Sequence, residues 1–106
     1  MSCRANDPKL PMDVLSQEQM VSLLIDFYLI EGKVRVIKQP QDSAVSVFHV
    51  FEQELYKKHQ TDSTQHMLSY NYYLDHPKEL NEIYIAVVDS LNLREKVLKM
   101  KKESGP

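Results

Sequence analysis

The sequence predicts an all-α fold, a compact bundle of about four helices with the first helix at its centre. Three observations point there. Apolar residues recur at three- and four-residue spacings through four separate stretches, the period of helices packed on one face. Prolines and capping residues mark where one stretch gives way to the next. Only two glycines and no tryptophan occur in 106 residues, a composition that argues against a turn-rich β architecture.

Residues 1–12 are polar, contain Pro8 and Pro11, and read as a flexible leader or tether. Ser16 then opens the first helix. It is a good N-cap, Gln19 completes a capping box at the third helical position, and Leu15 and Met20 are placed to form a hydrophobic staple. On a wheel of about 100° per residue, Met20, Leu23, Leu24, Phe27, Ile30, Val34 and Ile37 form one broad stripe. Val21, Ile25, Leu29 and Val36 form a second stripe on the far side. A helix apolar on both sides must be covered on both sides, so this element is either the buried centre of the domain or half of a docking surface. It should end near Lys38, because Pro40 restricts Gln39 and cannot continue the helix.

Asp42 or Ser43 is expected to cap a second helix running to about His59, with Val47, Phe48, Phe51 and Leu55 inward. Val45, Val47 and Val50 would also suit a short strand, but the spacing of Phe48, Phe51 and Leu55 is helical. Asp62 begins a third helix with Gln65 as its capping-box partner and Met67, Tyr70, Tyr73 and Leu74 on one face. That helix should end at His76, and Pro77 starts the fourth as a first-turn proline. Leu80, Ile83, Tyr84, Val87, Val88 and Leu91 predict one buried stripe. Asn92 is expected to break or kink it, with Leu93 to Lys102 able to continue as helix. The result is one helical domain over residues 13–98 and a basic, disordered tail over 99–106.

A net charge of −2 and a pI near 6.1 give no electrostatic case for nucleic acid. Lys96, Lys99, Lys101 and Lys102 read as a solvated helix end, where cations suit the helix dipole. Charged and polar residues interrupt the first helix, so it is not a transmembrane span.

Candidate chemistry is sparse. Glu31 is placed on the main apolar stripe of the first helix, where an unpaired charge is costly. It needs either a ligand or a tyrosine or histidine from another helix. Asp26 lies roughly 140° away on the wheel, so the two carboxylates do not converge as a catalytic pair. His49, His59, His66 and His76 show no metal-binding spacing; His49 with Glu52 supplies two ligands where zinc takes three or four. No metal or cofactor is expected. The tract Ser69 to Tyr73 suits either a binding platform or the core, with Tyr70 and Tyr73 inward and Tyr72 outward. Ser69 lacks a Gly-rich elbow, and Gly32 and Gly105 stand alone, so neither a serine hydrolase nor a phosphate loop is indicated. Cys3 is a lone cysteine ahead of a polar, proline-containing leader: either an incidental cysteine in a floppy end or the layout of a mature bacterial lipoprotein, in which lipid on the cysteine is the anchor.

Pro11, Gln19-Met20 and the run from Leu24 to Glu31 resemble the opening of a family of small bacterial proteins known only as a domain of unknown function. The likeness continues through Phe51-Glu52, Tyr56, Lys58-His59, the pattern Ser69-x-x-Tyr72-Tyr73-x-x-x-Pro77, and Ile83-Tyr84 with Val87-Val88 before Leu91. Members read as lipoproteins of Gram-negative envelopes. The resemblance implies an envelope location and lipidation at Cys3, and it implies no activity. It singles out Asp26, Glu31, Ser69, Tyr72, Tyr73 and Pro77 as a polar cluster to locate. The chain departs from the family at Gln60, where a glycine is expected to end the second helix.

The function expected from these readings is that of a non-catalytic, lipid-anchored module of the bacterial cell envelope, facing the periplasm and binding an unknown envelope protein. The alternative is a small-ligand binder or small enzyme, cytoplasmic in one version, using Glu31, Asp26 and a tyrosine or histidine between helices. Geometry separates them. A pocket with Glu31 at its base favours the second, and an exposed apolar groove beside the first helix favours the first. One hydrogen-bond arrangement would join the cluster: Glu31 accepting from the Ser69 or Tyr73 hydroxyl.

Overall fold

The computed structural model describes residues 10–36 and 41–104, with the side chains of 41–45 and 104 outside that description. These residues form four helices: α1 (Gln17–Val36), α2 (Gln41–Lys58), α3 (Ser63–Leu74) and α4 (Pro77–Ser104). The predicted all-α bundle is what forms, and no strand occurs among the described residues. Cys3, Ile37 and most of the leader lie outside them. α2 starts at Gln41, so Asp42 and Ser43, expected to cap it, already lie within its first turn.

α1 begins where its capping box predicts. The Ser16 N–H donates to Gln19 Oε1 at 2.8 Å, and the Gln19 N–H donates to Ser16 Oγ at 3.1 Å. Leu15 and Met20, the staple pair, are both buried in the same cluster. α1 then packs against both α2 and α4, while α3 packs against α4. The core draws Val14 and Leu15 from the segment before α1, Met20, Leu23 and Ile25 from α1, Tyr56 from α2, Tyr73 from α3, and Ile83 and Val87 from α4. α1 is therefore central, but only its first half is enclosed. Met20 and Leu23 are fully buried, whereas Tyr28, Glu31 and Val36 are exposed.

The turn after α2 closes on a left-handed residue. Gln60 has φ 56°. The Gln60 N–H donates to the Lys57 carbonyl at 3.1 Å, and the Thr61 N–H donates to the Tyr56 carbonyl at 2.9 Å. These two bonds are the paired closure of a Schellman motif, which usually places glycine where Gln60 stands. The chain thus keeps the glycine geometry without the glycine. A side chain in this conformation costs about 1–2 kcal/mol, partly offset because glycine makes the unfolded chain more flexible. Gln60→Gly is expected to stabilise the protein by about 0.5–1 kcal/mol, read as a higher urea midpoint at unchanged slope.

Of the face that its apolar spacing predicts, α3 buries Tyr73 as expected but adds Ser69 to it, while Met67, Tyr70 and Leu74, with Leu68, are exposed to differing degrees. The reason is what α3 covers: it lies over the backbone of residues 13–15, and this surface calls for hydrogen-bonding tips rather than methyl groups. Tyr70 and Tyr72 exchange the expected roles. Tyr70 sits at the edge beside Tyr84, whose phenol is pushed up by burial and by this neighbour, and Tyr72 is half-buried, stacked on His76 at 4.0 Å and edge-on to Tyr73 at 5.0 Å. The Asp62 cap holds, with Asp62 Oδ1 accepting from the Gln65 N–H at 2.7 Å. The Gln65 side chain is engaged elsewhere, accepting from Thr61 Oγ1 and donating to the Asp13 carbonyl. α3 stops at Leu74 with Asp75 as C-cap, two residues short of the expected end at His76 and directly before α4.

Pro77 is the first residue of α4, and the His76 carbonyl accepts the Leu80 N–H at 3.0 Å. Proline suits this position because it has no N–H to leave unpaired. Ile83 and Val87 are buried as predicted, but Val88 is 53% exposed. Asn92 does not end the helix, since α4 continues unbroken to Ser104 and includes residues expected in the tail. From Asn92 onward every described side chain is exposed, apolar ones included.

Candidate functional site

The polar residues singled out from the sequence fall into three separate places. The first is a strap over Leu15. Ser69 Oγ accepts the Leu15 N–H at 2.8 Å and donates to the Gln65 carbonyl at 2.7 Å. The Tyr73 hydroxyl donates to the Leu15 carbonyl at 2.8 Å. Both backbone groups of one residue are thus satisfied by two side chains from α3, 54 and 58 positions away. The serine and second tyrosine of the Ser69-x-x-Tyr72-Tyr73 pattern fasten the entry of α1 to α3. Tyr72 packs against Tyr73 and His76, and the His76 Nδ1–H donates to the Tyr72 carbonyl at 2.7 Å. Pro77 follows as the start of α4, so the motif spans the whole α3–α4 junction.

The second place is an ion cluster between α1 and the end of α2. Asp26 Oδ2 lies 2.9 Å from Lys58 Nζ and 2.7 Å from His59 Nε2. Asp26 and His59 are largely covered, with side chains 18% and 15% exposed. Burial raises the Asp26 carboxyl, but hydrogen bonds from His59 and Lys58, together with their charges, outweigh it and hold the carboxyl below its ordinary value. His59 as partner to Asp26 was not anticipated. The signal was present: a four-residue link between α1 and α2 makes them antiparallel, which returns Lys58 and His59 to the flank of α1.

Glu31 is in the third place, and here the sequence expectation is corrected. It is on the surface, 52% exposed, with its carboxylate 3.5 Å from Arg35 one turn later. The proposed bonds to Ser69 and Tyr73 do not form, because both hydroxyls are committed to the strap. The cause is the shallow cover over the second half of α1, which leaves its wheel position facing water rather than a neighbour. Asp26 and Glu31 are accordingly not brought to one site.

An aromatic cluster sits behind the ion cluster. Phe27 meets Phe48 and Tyr56 and stacks on His66, with ring centroids 5.5 Å apart for the last two. The Tyr56 hydroxyl is 3.0 Å from His66 Nδ1. Burial, with Glu52 and Asp62 nearby, pushes the Tyr56 phenol up, so it stays a donor. Burial pushes the His66 imidazole down against a smaller opposing pull from Glu52, so the ring is held neutral and accepts from Tyr56. A histidine depressed on folding contributes stability above its unfolded value near 6.5, and that stability is lost as pH falls toward its folded value. Thermal midpoints measured from pH 7.5 to 5 should therefore decline more steeply in the wild type than in His66→Gln.

A groove beside α1 is large enough to hold a ligand or a side-chain ridge. It encloses about 660 Å³ between the first half of α1 and the first half of α4. Val21, Ile25, Tyr72, Tyr73 and Ala86 give it an apolar floor, and Glu18, Glu79 and Glu82 stand around it. None of the residues singled out for chemistry except Tyr72 and Tyr73 lines it. Its acidic wall escaped the sequence reading because Glu79 and Glu82 look like ordinary helix-surface residues until α1 is laid beside them.

No group of three or more histidine, cysteine, aspartate or glutamate side chains able to hold a metal occurs among the described residues. No described helix is long and apolar enough to cross a membrane. No curated protein and no solved structure matches the chain. Residues 11–97 do match a family, and by that match over most of its length the chain belongs to Domain of unknown function (DUF4296).

Proposed function

We propose that this protein is a non-catalytic accessory module of the bacterial cell envelope, anchored by lipid on Cys3, and that it works by docking another protein. The observation that carries the docking part is the open apolar groove beside α1, flanked by helix surface that is exposed among the described residues. Exposed apolar surface grouped in this way marks interaction sites. The buried polar groups support the same reading, since Ser69, Tyr73 and Asp26 are all spent on holding helices together. The envelope part rests on the lone Cys3 ahead of the leader and on the resemblance to envelope lipoproteins.

The test is expression from the native upstream DNA, membrane fractionation and mass spectrometry of the N-terminus. Diacylated or triacylated Cys3 in the membrane fraction is expected, and Cys3→Ser should move the protein to the soluble fraction. Unmodified Cys3 in the cytosol would overturn the anchored reading.

A further inference from the structure

We infer that the groove between α1 and α4 is occupied by the C-terminal half of α4 from a second copy of this chain, giving a two-fold dimer. The inference rests on the docking reading above and names the partner.

The ridge is read from α4 itself. Leu93, Val97 and Met100 fall within about 60° of one another on the helical wheel and are 63%, 43% and 66% exposed. Lys96 borders this stripe on one side, and Arg94 and Lys101 border it on the other. The outcome is an apolar ridge with basic flanks. The groove is its complement, an apolar floor of Val21, Ile25 and Ala86 among the carboxylates of Glu18, Glu79 and Glu82.

Placement decides who the occupant is. Glu79, Glu82 and Ala86 lie on the same arc of α4 as Leu93, Val97 and Met100. Val97 stands about 22 Å along the helix from Glu82 at 1.5 Å per residue. One unbroken helix cannot fold its own end back over its beginning, so the ridge cannot fill the groove of its own chain. The groove lies at the start of α4 and the ridge toward its end, on one arc of the same helix. An antiparallel copy therefore lays its ridge in this groove while offering its own groove to this ridge. Both contacts are identical, made at once, and closed by one two-fold axis. An anionic bilayer would accept the ridge but would be repelled by the three glutamates of the groove.

The test is sedimentation equilibrium of the full chain at low and high salt, with two charge-reversed variants. One carries Glu79→Lys and Glu82→Lys in the groove, and the other carries Arg94→Glu and Lys96→Glu on the flanks of the ridge. All four lie on the helix surface, and circular dichroism checks that each variant keeps its helicity. The wild type is expected to dimerise, more weakly as salt rises. Each variant alone should dimerise at least about tenfold more weakly, because like charges then face each other across both contacts. An equimolar mixture of the two should recover the dimer, since every ridge again meets a groove of opposite sign. Three outcomes would overturn the inference: a wild type still monomeric at about 100 µM, variants that dimerise as tightly as the wild type, or a monomer that binds vesicles of anionic lipid through the ridge. A monomer that cross-links to a defined envelope protein through the groove would end this inference and leave the docking reading standing. Unmodified Cys3 would end the anchored reading and leave the dimer untouched.

Discussion

Ser69→Ala should destabilise the protein by about 1–3 kcal/mol, because it leaves the buried Leu15 N–H without an acceptor. Tyr73→Phe should cost a similar amount by stranding the Leu15 carbonyl. The two effects should not add. Both side chains hold the same residue, and once one bond is lost the entry segment can shift and take water to the other group. A coupling of about 0.5 kcal/mol or more is expected from a double-mutant cycle in urea. Strict additivity would mean that Leu15 stays in place after either loss, and a cost near zero for both would mean that the strap adds nothing to the fold. Ser69→Thr adds a methyl group at a fully buried position and should not rescue, whereas a merely polar requirement would be met by threonine.

Leu23→Ala should cost about 2–5 kcal/mol, the range for truncating a fully buried leucine. For a domain of this size, that lowers the thermal midpoint by roughly 4–8 °C per kcal/mol. Val36→Ala, thirteen residues later on the same helix, should change stability by less than about 0.5 kcal/mol, because Val36 is 79% exposed. The contrast tests the gradient along α1. Equal costs at the two positions would mean that the far end of α1 is covered in solution by something outside the monomer. Should the dimer form, Val36→Ala measured across protein concentration will show whether that cover comes from the second copy.

Much of the architecture was legible from local chemistry. Ser16 with Gln19, Asp62 with the Gln65 N–H, and Pro77 each act within one helical turn, so their neighbours in sequence are their partners in space. The apolar period of α4 through Ile83 and Val87 needed only a surface to pack on, whichever it was. The expected glycine at Gln60 proved informative in the same way, since the left-handed turn forms there regardless of the residue.

The inward face of α3 was legible only at Tyr73, because periodicity finds the apolar side and this helix buries Ser69 in place of Met67, Tyr70 and Leu74. Ser69 and Tyr73 face inward because the chain segment they cover presents backbone, and no pattern within Ser63–Leu74 records what lies beneath it. Glu31 and Asp26 fared in opposite ways for a related reason. Their wheel positions follow from spacing alone, but burial depends on how far along α1 its neighbours reach. α2 returns its charged end to Asp26, while Glu31 is left in water beside Arg35.

Helix number, the starts of α1, α3 and α4, and the centrality of α1 came from the chain itself, through spacings and caps that operate over three or four residues. Which polar groups are spent on holding the fold, and which surfaces remain open, emerged only on packing. Those depend on residues 54 or 58 positions apart meeting across a bundle, and on where α1 and α4 part company. Local forces choose the elements. Solvent exclusion between them chooses which of their faces are left for another molecule.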